Sequence, residues 1–412
     1  MMKHFCGLVV FFCISPMFIW SQTDSVYTFI PKPTGSYSIC TQKMFLVDSS
    51  RAETLSRDVD FREIYVKIWY PINQQNDVQF SSYLSDYPDD VVSDIFAEIG
   101  VSHGLIAQIK KNYTHSSAQI PIISGQNKYP VIIFNPGYYF GMPDFYTSIL
   151  ENLASNGFIV CCINHPFDQP YVESSNGEGS HLVKKKARLG YLQLLITNSF
   201  QFRKLETREQ MEKTTRYYLR RLSRFDKITR RWTDDTSFFI DYLNKAINNP
   251  NSNNIISKMD LSNIGTMGHS IGGAVAGQLS ITNRSIKAGI NIDCFQFGDM
   301  IDKPLDIPFM LLQSEYNAKW NLGNKIIFSN SKSNFYKFTL KKATHFAFSD
   351  VASYDLDKEK KESMIGQING PEAIQLVNEY ILQFFNHYLL NVDSPLLQTE
   401  INNATINFEK QL

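Results

Sequence analysis

The stretch "IGTMGHSIGGAVAGQ" occupies residues 264–278, and its centre, Gly268-His269-Ser270-Ile271-Gly272, has the form G-x-S-x-G. An apolar run leads into the serine, and the small residues Gly272, Gly273, Ala274, Ala276 and Gly277 follow it. The first run reads as a strand. The second reads as a helix whose residues carry almost nothing to hold it away from a sheet. A serine at a sharp strand-to-helix turn sits strained and exposed at the carboxyl edge of the sheet, where the helix N-terminus favours negative charge. The plain alternative is a glycine-rich turn with no chemistry. The choice depends on the elements around the motif and on the acid–base groups elsewhere in the chain.

Working outward, "FREIYVKIWY" at 61–70 is aromatic and β-branched, which predicts a strand ended by Pro71. Short helices are expected near residues 90–110. Val131 to Phe134 is a continuous apolar run, as in a strand buried on both faces of a parallel sheet. Residues 143–156 have helical spacing, with Pro143 in the first turn and Gly157 past the end, and "FIVCCIN" is the next buried strand. Beyond these, "DDTSFFIDYLNKAI" at 234–247 predicts a helix with acids near its start. Three strands follow the motif, in "IKAGINID", "DIPFMLLQSE" and "NFYKFTLKKATH". An amphipathic helix over 371–391 is expected to close the chain, with Ile374, Val377, Ile381, Phe384 and Tyr388 on one stripe. Strands alternating with helices predict an α/β class: a mostly parallel central sheet flanked by helices.

The chain has 412 residues, a length open to two or three domains or to one α/β domain with insertions. Apolar content of 43% and aromatic content of 13% exclude a disordered chain, and zero net charge implies no nucleic-acid partner. Lys3 and His4 precede an almost wholly apolar run from Phe5 to Trp20. This run falls short of the roughly 20 residues that span a bilayer, so residues 1–21 read as a signal peptide and 22–412 as the mature domain. An uncleaved membrane anchor is the alternative. Export to the periplasm or the exterior would follow. Of the six cysteines, Cys40, Cys161, Cys162 and Cys294 would remain, with no C-x-x-C pair to suggest zinc or a redox motif. Buried thiols are the expectation, with a disulfide open to an exported protein. Sequons stand at Asn112, Asn283 and Asn403.

Charge is unevenly spread. Residues 181–232 hold 15 Lys/Arg and 4 Asp/Glu, a net of +11, so the rest of a neutral chain carries −11. This is the core of a helical insertion, about 175–232, that breaks the strand–helix alternation and reads as a lid or cap. It is either a solvated surface or a basic amphipathic surface for peripheral contact with anionic lipid or anionic substrate.

A nucleophilic serine needs a base, and the base needs an acid to orient it. In the α/β-hydrolase order, serine, acid and histidine follow one another along the chain. His345, in "KKATHFAFSD", lies just past a strand and is the expected base, whereas His387 lies in the final helix. His269 adjoins the serine but is expected to point away, and His165, in "INHPFD", is expected to be structural. Asp293 and Glu315 each end a strand on the same edge, and either can be the acid. Asp299, Asp302 and Asp306 read as turn acids. The oxyanion hole would use the amides of Ile271 and of Tyr138, the latter in the loop "FNPGYYFG" where Gly137 permits the turn.

Taken in order, "PTGSYSICTQKMFLVDSSR", "EIYVKIWYPIN", "YPVIIFNPGYYFG", "ASNGFIVCCINHPFD", "IGTMGHSIGGAVAGQ", "AGINIDCFQFGD" and "ATHFAFSD" resemble the plasma-type platelet-activating factor acetylhydrolase family of the α/β-hydrolase superfamily. The resemblance spans roughly residues 30–390. It implies Ser270 as nucleophile, Asp293 in preference to Glu315 as acid, His345 as base, and Tyr138 and Ile271 as oxyanion donors. It also implies a serine esterase, without metal or cofactor, that removes short or oxidised acyl chains, including the sn-2 acyl group of platelet-activating-factor-like phospholipids. "NPG" replaces the family's usual His-Gly pair, and the basic insertion matches no family motif. These departures leave open a carboxylesterase or polyester hydrolase acting on a non-phospholipid ester. A peptidase of the same fold and a catalytically inactive binding protein are the remaining alternatives.

Overall fold

A computed structural model describes residues 29–73, 79–118, 127–198, 207–249, 255–316 and 322–411. The expected signal peptide over 1–21 lies outside the described residues. Strands β1 (Ser38–Ala52), β2 (Phe61–Ile72), β3 (Ser116–Ala118), β4 (Tyr129–Asn135) and β5 (Ile159–Asn164) form the first half of the chain. A small separate hairpin, β6 (Tyr171–Glu173) with β7 (Gly179–His181), follows them. Then come β8 (Met259–His269), β9 (Ile286–Ile292), β10 (Phe309–Ser314), β11 (Phe335–Leu340), β12 (Ile401–Asn402) and β13 (Ile406–Gln411). The helices are α1 (Asp89–Glu98), α2 (His103–Lys110), α3 (Thr147–Ser155), α4 (Lys184–Asn198), α5 (Arg208–Arg221) and α6 (Ser223–Ala246). The set is completed by α7 (Ile271–Thr282), α8 (Leu322–Asn330), α9 (Lys358–Ile365), α10 (Gly370–Leu390) and α11 (Pro395–Gln398).

The main sheet runs β12-β13-β11-β10-β9-β8-β4-β5-β2-β1-β3. From β11 to β5 every neighbouring pair is parallel, and antiparallel strands β13 and β2 flank that block. This is the expected mostly parallel sheet with helices on both faces. The continuous apolar runs of β4, β5, β9 and β10 follow from burial on both sides, with α3 and α10 on one face and α6 and α7 on the other. In α10, Ile374, Val377, Ile381 and Phe384 are buried as the stripe predicts. Among the described residues no helix is long and apolar enough to cross a membrane.

Four details differ from the sequence reading. Strand β2 continues through Pro71, which stays in register with Ile39 of β1 although β5 stops pairing at Trp69. Helix α6 starts at Ser223, not at 234, so Asp234 and Asp235 lie in mid-helix instead of at a helix start. The buried row Phe225, Ile228, Trp232, Phe239, Ile240 and Leu243 is continuous across the expected boundary. The amphipathic helix does not close the chain: β13 returns to pair with β11. The long strand β1 was not anticipated at all; it zips against β2 from Ser38↔Ile72 to Asp48↔Arg62. Cys40, Cys161, Cys162 and Cys294 are all buried and joined by no disulfide, as expected of buried thiols.

The insertion comprises α4, α5 and the first half of α6. Much of its charge is answered by the acidic remainder of the chain. Arg216 binds Asp302 at 2.6 Å, Arg230 binds Asp299 at 2.9 Å and Arg231 binds Asp168 at 2.6 Å. The expected turn acids Asp299 and Asp302 thus anchor the insertion to the sheet edge.

Candidate active site

Ser270 sits between β8 and α7 with φ 55° and ψ −131°, a conformation L-residues avoid at a cost of roughly 1–3 kcal/mol. Two glycines make the turn possible. A Cβ on Gly268 would lie 2.3 Å from the carbonyl carbon of Gly272, and one on Gly272 would lie 1.9 Å from the carbonyl oxygen of Asn135. The Ser270 N–H donates to the Ile292 carbonyl at 2.9 Å, which ties the turn to the end of β9.

Asp293 is the next residue after Ile292 and also has positive φ, 54°. Its N–H donates to the Leu312 carbonyl at 2.7 Å, so β10 holds the turn. Its Oδ1 accepts from the Ser314 N–H at 2.7 Å and from the Ser314 hydroxyl at 3.0 Å. Oδ2 lies 2.8 Å from His345 Nδ1. A carboxylate can only accept there, so Nδ1 carries the proton and Nε2 is left with its lone pair. Glu315, the other acid considered, is exposed and accepts the Lys342 N–H at 2.8 Å. His387 is at the end of α10, with Nδ1 3.0 Å from the Val392 carbonyl.

A cavity of about 260 Å³ is lined by Ser270, Asp293, His345, Tyr138 and Ile271. Its walls are aromatic and apolar, from Tyr191 and Leu194 of α4, Phe225 of α6, and Phe295 and Phe297. A second cavity, about 250 Å³, meets the first at Ser270, His345, Tyr138 and Tyr191 and extends toward Phe140 and Phe346. Among the described residues the N–H groups of Tyr138 and Ile271 donate to no protein acceptor. Two unspent amides beside one serine can hold an oxyanion.

Two buried histidines outside this group fix the loops around it. His269 Nε2 lies 3.0 Å from the His345 carbonyl, which only accepts, so Nε2 carries its proton. Nδ1 therefore accepts from the Tyr146 hydroxyl at 2.8 Å, and the Tyr146 oxygen accepts the Gly137 N–H at 3.3 Å. This chain of bonds ties the Tyr138 loop to the His345 loop behind the serine. Burial pushes the His269 pKa down to about 3, with the neighbouring His345 ring adding to the effect, so the imidazole stays neutral. His269 takes no part in lining the first cavity but borders the second, and it carries a bonding role that the sequence did not signal.

His165 is stacked on Trp232 at 3.9 Å between ring centroids, with Nδ1 2.8 Å from Asp235 and Nε2 3.0 Å from the Asn135 side chain. Burial lowers its pKa, which makes the ring neutral, with its one proton on Nδ1 facing Asp235. Nε2 must then accept, so the Asn135 amide turns its NH₂ toward His165 and Thr236. The Thr236 hydroxyl can receive it while donating to the Trp232 carbonyl at 2.8 Å. Asn135 begins the "NPG" loop, so this network supports that loop from beneath. Ser314, Tyr146 and the α4 residues Tyr191 and Leu194 are the site-forming residues the sequence did not reveal. Serines at strand ends and apolar residues in a helix are too common to signal a role.

The family model for "Platelet-activating factor acetylhydrolase, isoform II" matches residues 23–405. A platelet-activating factor acetylhydrolase from Cavia porcellus is 24% identical over 388 residues, covering 89% of this chain and 79% of that protein. One from Gallus gallus is 23% identical over 282 residues, covering 64% and 62%. A solved structure of a ferulic acid esterase from Streptomyces cinnamoneus superposes with a TM-score of 0.69 at 21% identity, covering 92% of this chain and 98% of that one, a likeness of fold. On the match across most of its length, the chain belongs to the platelet-activating factor acetylhydrolase isoform II family, and is a carboxylic ester hydrolase.

Proposed function

We propose that this protein is an exported serine esterase in which Ser270 attacks the carbonyl carbon of a short-chain acyl ester. His345 Nε2 takes the Ser270 proton as the C–O bond forms, and Asp293 holds the resulting imidazolium through Nδ1–H. The carbonyl oxygen gains the negative charge and rests on the amides of Tyr138 and Ile271. Collapse expels the alcohol, which leaves with the proton from His345. Water, deprotonated by the same imidazole, then releases the acid from the acyl-serine. Nucleophile, base and oxyanion donors all come from the chain, so no step calls for a metal or cofactor. The observation that carries this reading is the 2.8 Å His345–Asp293 pair sharing one cavity with a strained, exposed-edge serine.

The substrate we propose is a phospholipid bearing a short or oxidised sn-2 acyl group, following the family and the relatives' printed name. Export follows from the apolar, weakly basic start of the sequence. A second reading, an ester with an aromatic acyl group, is favoured by the walls of Tyr138, Tyr191, Phe225, Phe295 and Phe297. A fluorophosphonate probe on the purified protein tests the chemistry: labelling that disappears in Ser270→Ala is expected, and an unlabelled wild type would sink the mechanism. A panel of short-acyl phospholipid, simple aryl acetate and hydroxycinnamate esters separates the two substrates.

A further inference from the structure

The loop that carries the Tyr138 amide is strained at its next residue. Tyr139 has φ 73°, a backbone conformation in which a large side chain is rarely found. The Phe140 N–H donates to the Tyr138 carbonyl at 3.0 Å, across Tyr139. A bond between residues i+2 and i, spanning a φ near +75°, is the mark of the rare and strained kind of γ-turn. The loop also closes on itself, since a Cβ on Gly141 would lie 1.8 Å from the Gly137 carbonyl oxygen. Glycine stands where the two arms of the loop touch, but a tyrosine stands at the left-handed position. Such strain persists only where the surroundings hold it.

Three helices supply the hold. The Tyr139 hydroxyl donates to Glu98 Oε2, on the last residue of α1, at 2.6 Å. Burial, and then the Glu98 bond, push that hydroxyl up to about 12, so it stays a donor. The Tyr139 ring meets Tyr191 of α4 edge-on, with centroids 5.4 Å apart. Lys184, the first residue of α4, lies 3.6 Å from the other Glu98 oxygen. The Tyr139 N–H donates to the Asp168 carbonyl at 3.2 Å, and the Asp168 carboxylate takes Arg231 and Trp232 of α6 at 2.6 and 2.9 Å. All of this converges on the residue next to the Tyr138 amide, while Tyr139 itself is absent from the lining of both Ser270 cavities. A turn kept only for its shape would hold glycine or asparagine at φ 73° and need no carboxylate 41 residues away.

We propose that Tyr139 is a positioning residue: its strut to Glu98 holds the γ-turn that presents the Tyr138 N–H to the oxyanion forming above Ser270. It acts only through Tyr138, so the assignment rests on the oxyanion role proposed above. The test is steady-state hydrolysis of a soluble aryl ester, with kcat counted per active site titrated by a fluorophosphonate, so that unfolded protein does not enter. Tyr139→Phe keeps the ring against Tyr191 and removes the hydroxyl, Glu98→Ala removes the acceptor, and Glu98→Gln keeps an acceptor oxygen. The first two should each lower kcat by roughly tenfold, part of the roughly 10²–10³-fold that a whole oxyanion donor is worth, with KM within about twofold. The double variant Tyr139→Phe with Glu98→Ala should be no slower than the slower single one, because both remove the same bond. Glu98→Gln should hold kcat within about threefold of wild type. Unchanged kcat per site in both single variants, a loss confined to KM, or losses that multiply in the double variant would overturn the proposal. With Ser270 still labelled in wild type, such a failure would fall on Tyr139 alone. A wild type that no fluorophosphonate labels would remove the catalytic reading and this one with it.

Discussion

Among the described residues, Asp293 is one of seven non-glycine residues with positive φ, and so is Ser270. Aspartate and asparagine enter this backbone region more readily than other side chains, so Asp293→Asn can keep the turn while removing the charge. Its amide would present either an NH₂ that cannot accept from His345 Nδ1–H or a weaker oxygen. We expect kcat for an aryl ester to fall on the order of 10³–10⁴-fold with the fold intact. Glu315→Gln should change kcat less than about twofold, since its exposed carboxylate accepts the Lys342 N–H away from His345. Equal losses in both variants would refute Asp293 as the orienting acid. The two acids could not be separated by residue pattern, because each ends a parallel strand on the same edge. The separation comes from Ser314, whose N–H and hydroxyl both hold Asp293 toward His345.

Between α3 and the His345 loop lie two buried carboxyls that the mechanism does not use. Asp350 accepts from the Ser148 N–H at 3.2 Å and from the Ser148 hydroxyl, which pins the loop beyond His345 to the start of α3. Glu151 accepts the His115 N–H at 3.0 Å. Burial pushes Glu151 up to about 8 and Asp350 up to about 7. Both pKa values are raised above those of the unfolded chain, so the native state holds the extra protons. The stability contributed by Glu151 is full below about 4.5 and is lost as pH rises toward 8, and that of Asp350 is full below about 3.8 and is lost toward 7. Each proton gives a slope of about 1.4 kcal/mol per pH unit within its window. Urea unfolding at pH 5 and pH 8 should therefore show a pH-dependent loss that Glu151→Gln reduces; identical pH dependence in both proteins would show that Glu151 is ionised in the native state. At this scale the legible elements were those with one clear signal: the continuous apolar runs of β4 and β5, the small-residue run of α7 and the stripe of α10. The start of α6 was misplaced because two adjacent acids mimic a helix N-terminus, whereas Asp235 is there to meet Arg62. Strand β1 escaped notice because its exposed outer edge mixes Lys, Gln and Ser into the pattern.

Across the whole molecule, one buried ion cluster joins the antiparallel flank of the sheet to the insertion's helix. Arg62 of β2 donates to Asp235 of α6 at 2.7 Å and to Glu53 at 2.8 Å, with both acids buried. Burial works to raise the Asp235 pKa, but Arg62 and the His165 hydrogen bond outweigh it and hold the carboxylate well below the usual range. Removing the Arg62 cation leaves Glu53 without its ion-pair partner and Asp235 with the partly exposed Arg51, 2.9 Å away. Arg62→Met should cost roughly 3–5 kcal/mol in chemical denaturation. Arg216→Met, on the exposed side of the same insertion, should cost less than about 1 kcal/mol. Comparable costs at the two sites would show that the buried cluster does not hold the insertion. The pairing spans 173 residues, so nothing local in the sequence could announce it. The global layout, in contrast, was legible, because alternating strand and helix patterns admit few sheet topologies.

The four buried cysteines carry a last consequence. Every thiol among the described residues is enclosed by packed side chains and bonded to no other sulfur. Within the described residues, packing and hydrogen bonds, with no sulfur–sulfur cross-link, hold the strands that place Ser270, Asp293 and His345.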